Sequence, residues 1–98
     1  MSSTKKICID VKTFGTNVTE LVSFRCFSDG TIEKYDYIVP KWGAIGNGKD
    51  AEIHSGICVG FSIHFITHDS FYAVRWFEDG TVQQTHPYGA WFTLKDKM

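Results

Sequence analysis

The residues most suggestive of chemistry are Gly43-Ala44-Ile45-Gly46-Asn47-Gly48-Lys49, which fit the G-x-x-x-x-G-K pattern of a phosphate-binding loop. In such a loop backbone amides cradle phosphate and the lysine reaches it. The next residue, however, is Asp50. Ser or Thr belongs there to hold magnesium, and a carboxylate repels phosphate. The loop also needs a parallel β-α unit whose helix N-terminus faces the phosphates, and nothing in this chain has a helical period. The stretch therefore reads as a glycine-rich linker.

Four histidines, His54, His64, His68 and His86, raise the question of a metal. On one strand His64 and His68 stand about 13 Å apart, at roughly 3.3 Å per residue. Ligand bonds of about 2 Å do not bridge that gap, so no metal ligand and no cofactor is assigned. Cys58 with His64 or His86 sketches a nucleophile and base. Cys58 has a duplicate in Cys8, however, and the surrounding first half of the chain has no histidine near it. A structural role explains both cysteines, and no catalytic residue is assigned. Cys8, Cys26 and Cys58 are odd in number and form no C-x-x-C pair. They read as small hydrophobes kept reduced, consistent with a cytoplasmic protein.

These residues are placed by an internal duplication. Shifted by 50 positions, Ile7-Cys8 falls on Ile57-Cys58, Arg25 on Arg75, Phe27 on Phe77 and Asp29-Gly30-Thr31 on Asp79-Gly80-Thr81. That is seven identities over residues 6–33, where average composition gives roughly two. After a shortening of four residues, Trp42-Gly43-Ala44 aligns with Tyr88-Gly89-Ala90. The chain is thus one domain, residues 1–98, built from repeats 6–52 and 56–98.

Each repeat reads as strands. Ile57, Val59, Phe61, Ile63 and Phe65 alternate with Cys58, Gly60, Ser62 and His64, a period of two. Each Asp-Gly pair between apolar runs marks a hairpin, because glycine supplies the positive φ of the turn. A three-residue loop at Ser28-Asp29-Gly30 pairs Phe27 with Thr31 and sets Arg25 opposite Glu33; Phe24, Cys26 and Ile32 then share the other face, as do Val74, Trp76 and Val82. The expected fold is all-β: a compact antiparallel barrel or sandwich of two three- or four-stranded meanders with approximate two-fold symmetry. At most one short helical turn is expected, near residues 49–54.

Composition narrows the function. Ten basic residues against eleven acidic ones give a net charge of −1, without the basic stripe of a nucleic-acid binder. No apolar run is long enough to span a membrane, and no secretory signal is visible. The repeats differ in charge: Ile53 to His68 contains no Asp, Glu, Lys or Arg, and nine of the fifteen aromatic residues lie between Phe61 and Phe92. Depleted charge with aromatics and one arginine is the make-up of an interface core.

The first reading is a small non-enzymatic module that binds a protein, either another copy as in a homodimer or a different target, in an accessory or inhibitory role. It uses the uncharged outer face of the second repeat, centred on His64, Phe71, Arg75 and Phe77; on this reading Arg75→Glu abolishes association and leaves the fold intact. The alternative is a carbohydrate or small-ligand binder with two equivalent aromatic sites at Trp42 and Tyr88, with Trp91 beside the second. A third is an enzyme with a site between the repeats, which a strongly shifted histidine in a cleft would favour.

Overall fold

Alternating apolar residues and two Asp-Gly turns produce eight strands and no helix among the residues that the computed structural model describes, 6–15, 21–37, 39–46, 56–67, 70–86 and 89–94. Strands β1 (Cys8–Phe14), β2 (Val22–Phe27), β3 (Ile32–Asp36) and β4 (Lys41–Ala44) form one antiparallel sheet in that order. Strands β5 (Cys58–Phe65), β6 (Phe71–Phe77), β7 (Val82–Thr85) and β8 (Trp91–Thr93) form the other. Each sheet lies within one sequence repeat. The helical turn expected near residues 49–54 falls outside the described residues, as do His54, His68 and Tyr88.

The hairpin register follows the three-residue reading. Arg25 pairs with Glu33 and Cys26 with Ile32, and the Phe27 amide donates to the Thr31 carbonyl at 2.8 Å. Asp29 Oδ1 accepts from the Thr31 amide at 2.9 Å, and Gly30 takes a φ of +93°. The second repeat copies the turn, with Asp79 Oδ1 accepting from Thr81 at 2.9 Å and Gly80 also at +93°. The turn is written into the local sequence: an aspartate that bonds its own backbone two residues on, then a glycine for the left-handed step.

The sheets lie face to face and are not closed into a barrel. Between them sits the core: Phe24, Cys26 and Ile32 from the first sheet, and Cys58, Phe61, Ile63, Ala73, Phe77 and Trp91 from the second. At one end, Phe14 and Phe24 meet Phe65 and Phe71 edge-on, with ring centroids 5.2–6.4 Å apart. Across the interface β5 approaches β1 and β2, so the sheets are closest at their first strands.

The approximate two-fold symmetry expected from the duplication is not how the repeats meet. A two-fold would bury the same face of both. The first sheet instead buries Phe24, Cys26 and Ile32, each fully, while their duplicates Val74, Trp76 and Val82 lie on the outward face of the second. Conversely, Phe61 is 2% exposed and Phe77 3%, whereas their duplicates Val11 and Phe27 face outward from the first sheet, Val11 at 56%. The repeats stack front to back.

Candidate functional site

Arg75, expected on an outer face, lies at the interface between the two sheets. It is 7% exposed. Its Nε and Nη2 donate to Gln83 Oε1 at 2.9 and 2.6 Å, and its Nη1 donates to the Gly30 carbonyl of the other sheet. The guanidinium lies 3.9 Å from the Trp91 ring centroid and 5.4 Å from that of Phe77. Burial lowers its pKa to about 10, which leaves it cationic at neutral pH.

The expected cluster of His64, Phe71, Arg75 and Phe77 is therefore split. Phe77 is core, and Phe71 packs against the core. Only His64 is exposed on the outward face, where it stacks on Tyr72 at 5.0 Å and hydrogen-bonds Ser62 at 2.9 Å. The cause is strand parity. Phe61 pairs with Arg75 and Ile63 with Ala73, so from Phe61 onward the odd-numbered residues of β5 share the face of Arg75, and His64 pairs with Tyr72 on the other side. An irregularity between Cys58 and Gly60 inserts one residue and returns Cys58 to the core side. The expectation that Arg75→Glu spares the fold is corrected with it: a carboxylate there would face Gln83 Oε1 and the Gly30 carbonyl.

The outward face of the second sheet is where charge is missing. It carries His64, Tyr72, Val74, Trp76, Val82 and Phe92, with Gly60, Ser62 and Gln84 between them and, among the described residues, no Asp, Glu, Lys or Arg. Trp76 is 38% exposed. Its indole lies directly over Gly60, where a Cβ would come within 2.5 Å of the ring. Sequence reasoning set Val74, Trp76 and Val82 on one face but read that face as core. The pairing of Phe61 with Arg75 would have reversed the reading.

The duplicate of the Arg75 cluster lies half-buried on the outward face of the first sheet. Arg25 Nε donates to Glu33 Oε1 at 2.7 Å, and Nη2 lies 2.6 Å from the same oxygen. Its guanidinium is 4.1 Å from the Trp42 ring centroid and 5.2 Å from that of Phe27, with Tyr35 against Trp42 at 5.1 Å. Arginine, carboxylate or amide, tryptophan and phenylalanine thus recur in one geometry, half-exposed with glutamate and buried with glutamine. Trp42 pairs with Tyr35 as Trp91 pairs with Thr85. The structural counterpart of Trp42 is therefore Trp91 rather than Tyr88, and the second aromatic site is closed: Trp91 is 4% exposed, and a Cβ built on Gly46 falls 2.6 Å from its indole nitrogen.

Cys26 and Cys58 are fully buried, and their sulfurs lie 3.6 Å apart across the interface. The hydrogen bond from Cys26 pulls the Cys58 thiol down to about 7, against its burial and with help from Arg75, while the same bond and burial push Cys26 up. Cys8 is exposed, because the face its duplicate buries is outward in the first sheet. Among the described residues no group of three His, Cys, Asp or Glu side chains is placed to hold a metal ion, and no helix is long and apolar enough to cross a membrane. Comparison with protein-family models, with curated proteins and with solved structures gives no match.

Proposed function

We propose that the chain is a non-enzymatic binding module that associates with a second copy of itself through the outward face of its second sheet. One observation carries the reading. That face holds the duplicates of the residues that the first sheet buries, and it has kept their apolar character: Val74, Trp76 and Val82 for Phe24, Cys26 and Ile32. A charge-free aromatic face of this kind, on a strand pair levelled by Gly60 and Ser62, has the composition of an interface core. Light scattering after gel filtration tests it. The wild-type chain is expected to run at a multiple of its mass, and Trp76→Glu as a folded monomer. A monomeric wild type at tens-of-micromolar concentration overturns the reading.

A second reading is favoured by the outward-facing Arg25–Glu33–Trp42 group. An aromatic ring beside a paired arginine and carboxylate offers an apolar platform and fixed polar groups, the ingredients of a small-molecule or carbohydrate site. Because the Trp91 copy is closed, this reading gives one such site per chain instead of two. A glycan and small-ligand screen tests it: binding is expected to be lost in Trp42→Ala and in Glu33→Gln, and binding that survives both places the ligand elsewhere.

A further inference from the structure

We infer that copies of this chain join front to back, the outward face of the second sheet receiving the outward face of the first sheet of the next copy, and that the series closes into a ring. The inference rests on the self-association proposed above and specifies its geometry. The template is the contact inside the chain. There the first sheet presents Phe24, Cys26, Ile32 and the Gly30 turn, and the second presents Phe61, Cys58, Arg75 and Phe77. The duplicates of both halves exist and face outward, but on opposite sides of the molecule: Val74, Trp76, Val82 and the Gly80 turn on one, Val11, Cys8, Arg25 and Phe27 on the other.

Individual contacts carry over by residue number. Arg75 Nη1 donates to the Gly30 carbonyl, and a Cβ built on Gly30 meets that nitrogen at 3.2 Å. Gly80 has the same φ of +93°, and a Cβ built there meets nothing within 4 Å. Arg25 is held by Glu33 through Nε and Nη2, as Arg75 is held by Gln83. Among the described residues nothing accepts from Arg25 Nη1. In the stack that nitrogen donates to the Gly80 carbonyl of the next copy. Likewise, the Cys58 amide donates to the Ser28 carbonyl at 2.8 Å, and the counterparts are the Cys8 amide of one copy and the Glu78 carbonyl of another. Lys12 lies 5.2 Å over the Phe61 ring inside the chain. Its duplicate, on the charge-free face, is Ser62, and the residue it meets across the new interface is Val11.

Closure follows from the wedge. A contact between unlike faces propagates and closes into a ring where successive rotations allow it, and otherwise grows as a filament. Here β5 approaches β1 and β2 across the interface, whereas at the far edge it is the segment after β4 that reaches the other sheet, the Gly46 carbonyl accepting from the Trp91 amide at 3.3 Å; strand to strand, the sheets are closest at their first strands. Radial four-stranded meanders arranged in this way close as a propeller. Two sheets per chain then give a ring with an even number of sheets and the first strands lining its axis.

The test uses two variants of the full chain, each with a charge on one face only: Trp76→Glu on the second sheet and Val11→Glu on the first. Circular dichroism confirms that each folds, as expected of substitutions at positions 38% and 56% exposed. The wild type is expected to give a single oligomer whose mass does not grow with concentration. Each variant alone is expected to be monomeric, and the two mixed are expected to form a 1:1 heterodimer that goes no further, because one intact face of each remains. An oligomeric wild type whose variants do not complement each other, or a Val11→Glu variant that still assembles, overturns the front-to-back inference and leaves self-association standing. A wild type that lengthens with concentration overturns closure. A monomeric wild type overturns self-association, and this inference with it.

Discussion

A guanidinium held between two sheets is bound to its surroundings by geometry as much as by charge. Arg75 gives Nε and Nη2 to one amide oxygen and Nη1 to a carbonyl on the opposite sheet. Replacing it with methionine strands two buried acceptors, each costing about 1–3 kcal/mol. Arg75→Met is therefore expected to lower stability by about 3 kcal/mol. The same change at Arg25, whose side chain is 33% exposed and pairs with a Glu33 that is 17% exposed, is expected to cost less, about 1 kcal/mol. Urea unfolding of the two variants under monomeric conditions checks the contrast. The thiol pair gives a second expectation. Cys58 is lowered from 9.0 to about 7, mainly by the hydrogen bond from Cys26. A group whose folded value is depressed adds stability as pH climbs towards its unfolded value and loses it as pH falls through the folded one. The unfolding midpoint should thus rise between pH 7 and 9, and the rise should be absent in Cys58→Ser. Above that window the sign reverses, because Cys26 is raised in the native state and ionises first in the unfolded chain.

At the scale of elements, the two turns are the same device in two settings. Gly30 and Gly80 share a φ of +93°, and alanine at such a position costs about 1–2 kcal/mol. Gly30→Ala also brings a methyl to within 3.2 Å of Arg75 Nη1, and Gly80→Ala meets open space. Gly30→Ala is therefore expected to be the more destabilising by denaturant titration at dilutions where the chain is monomeric. Any Gly80→Ala loss that appears only on concentration belongs to assembly. These turns are also where the sequence was most legible. Asp-Gly-Thr twice over, with Arg25 set against Glu33, is local information, and it placed the β2–β3 register correctly. The pairing of β5 with β6 was not legible in the same way. It depends on the irregularity between Cys58 and Gly60, a shift of one residue that exchanges the two faces of a strand. The Trp42 alignment failed for a related reason. Identity at Gly-Ala drew Tyr88 opposite it, while the backbone pairs Trp91 with Thr85. Loss of charge in the second repeat was visible in the sequence, but it marks both faces of that sheet: one is core with a single arginine, the other is outward.

At the scale of the molecule, duplication usually suggests a pair related by a two-fold, each half covering the other. Here the halves cover each other on one side only, and the unused sides carry the duplicates of the residues that are covered. This separates repeat count from assembly size. Thirteen residues, 45–57, separate β4 from β5, and joining two copies of the chain end to start leaves twelve between β8 and the next β1. A tandem fusion is thus expected to assemble with half as many chains and the same total number of sheets, which native mass spectrometry would read directly. In genetic terms, a front-to-back repeat makes chain length a free parameter. In the proposed ring, unequal crossing-over that adds or removes a repeat would alter how many polypeptides complete the object without redesigning any contact, because each interface, within a chain or between chains, would be specified by the same pair of surfaces.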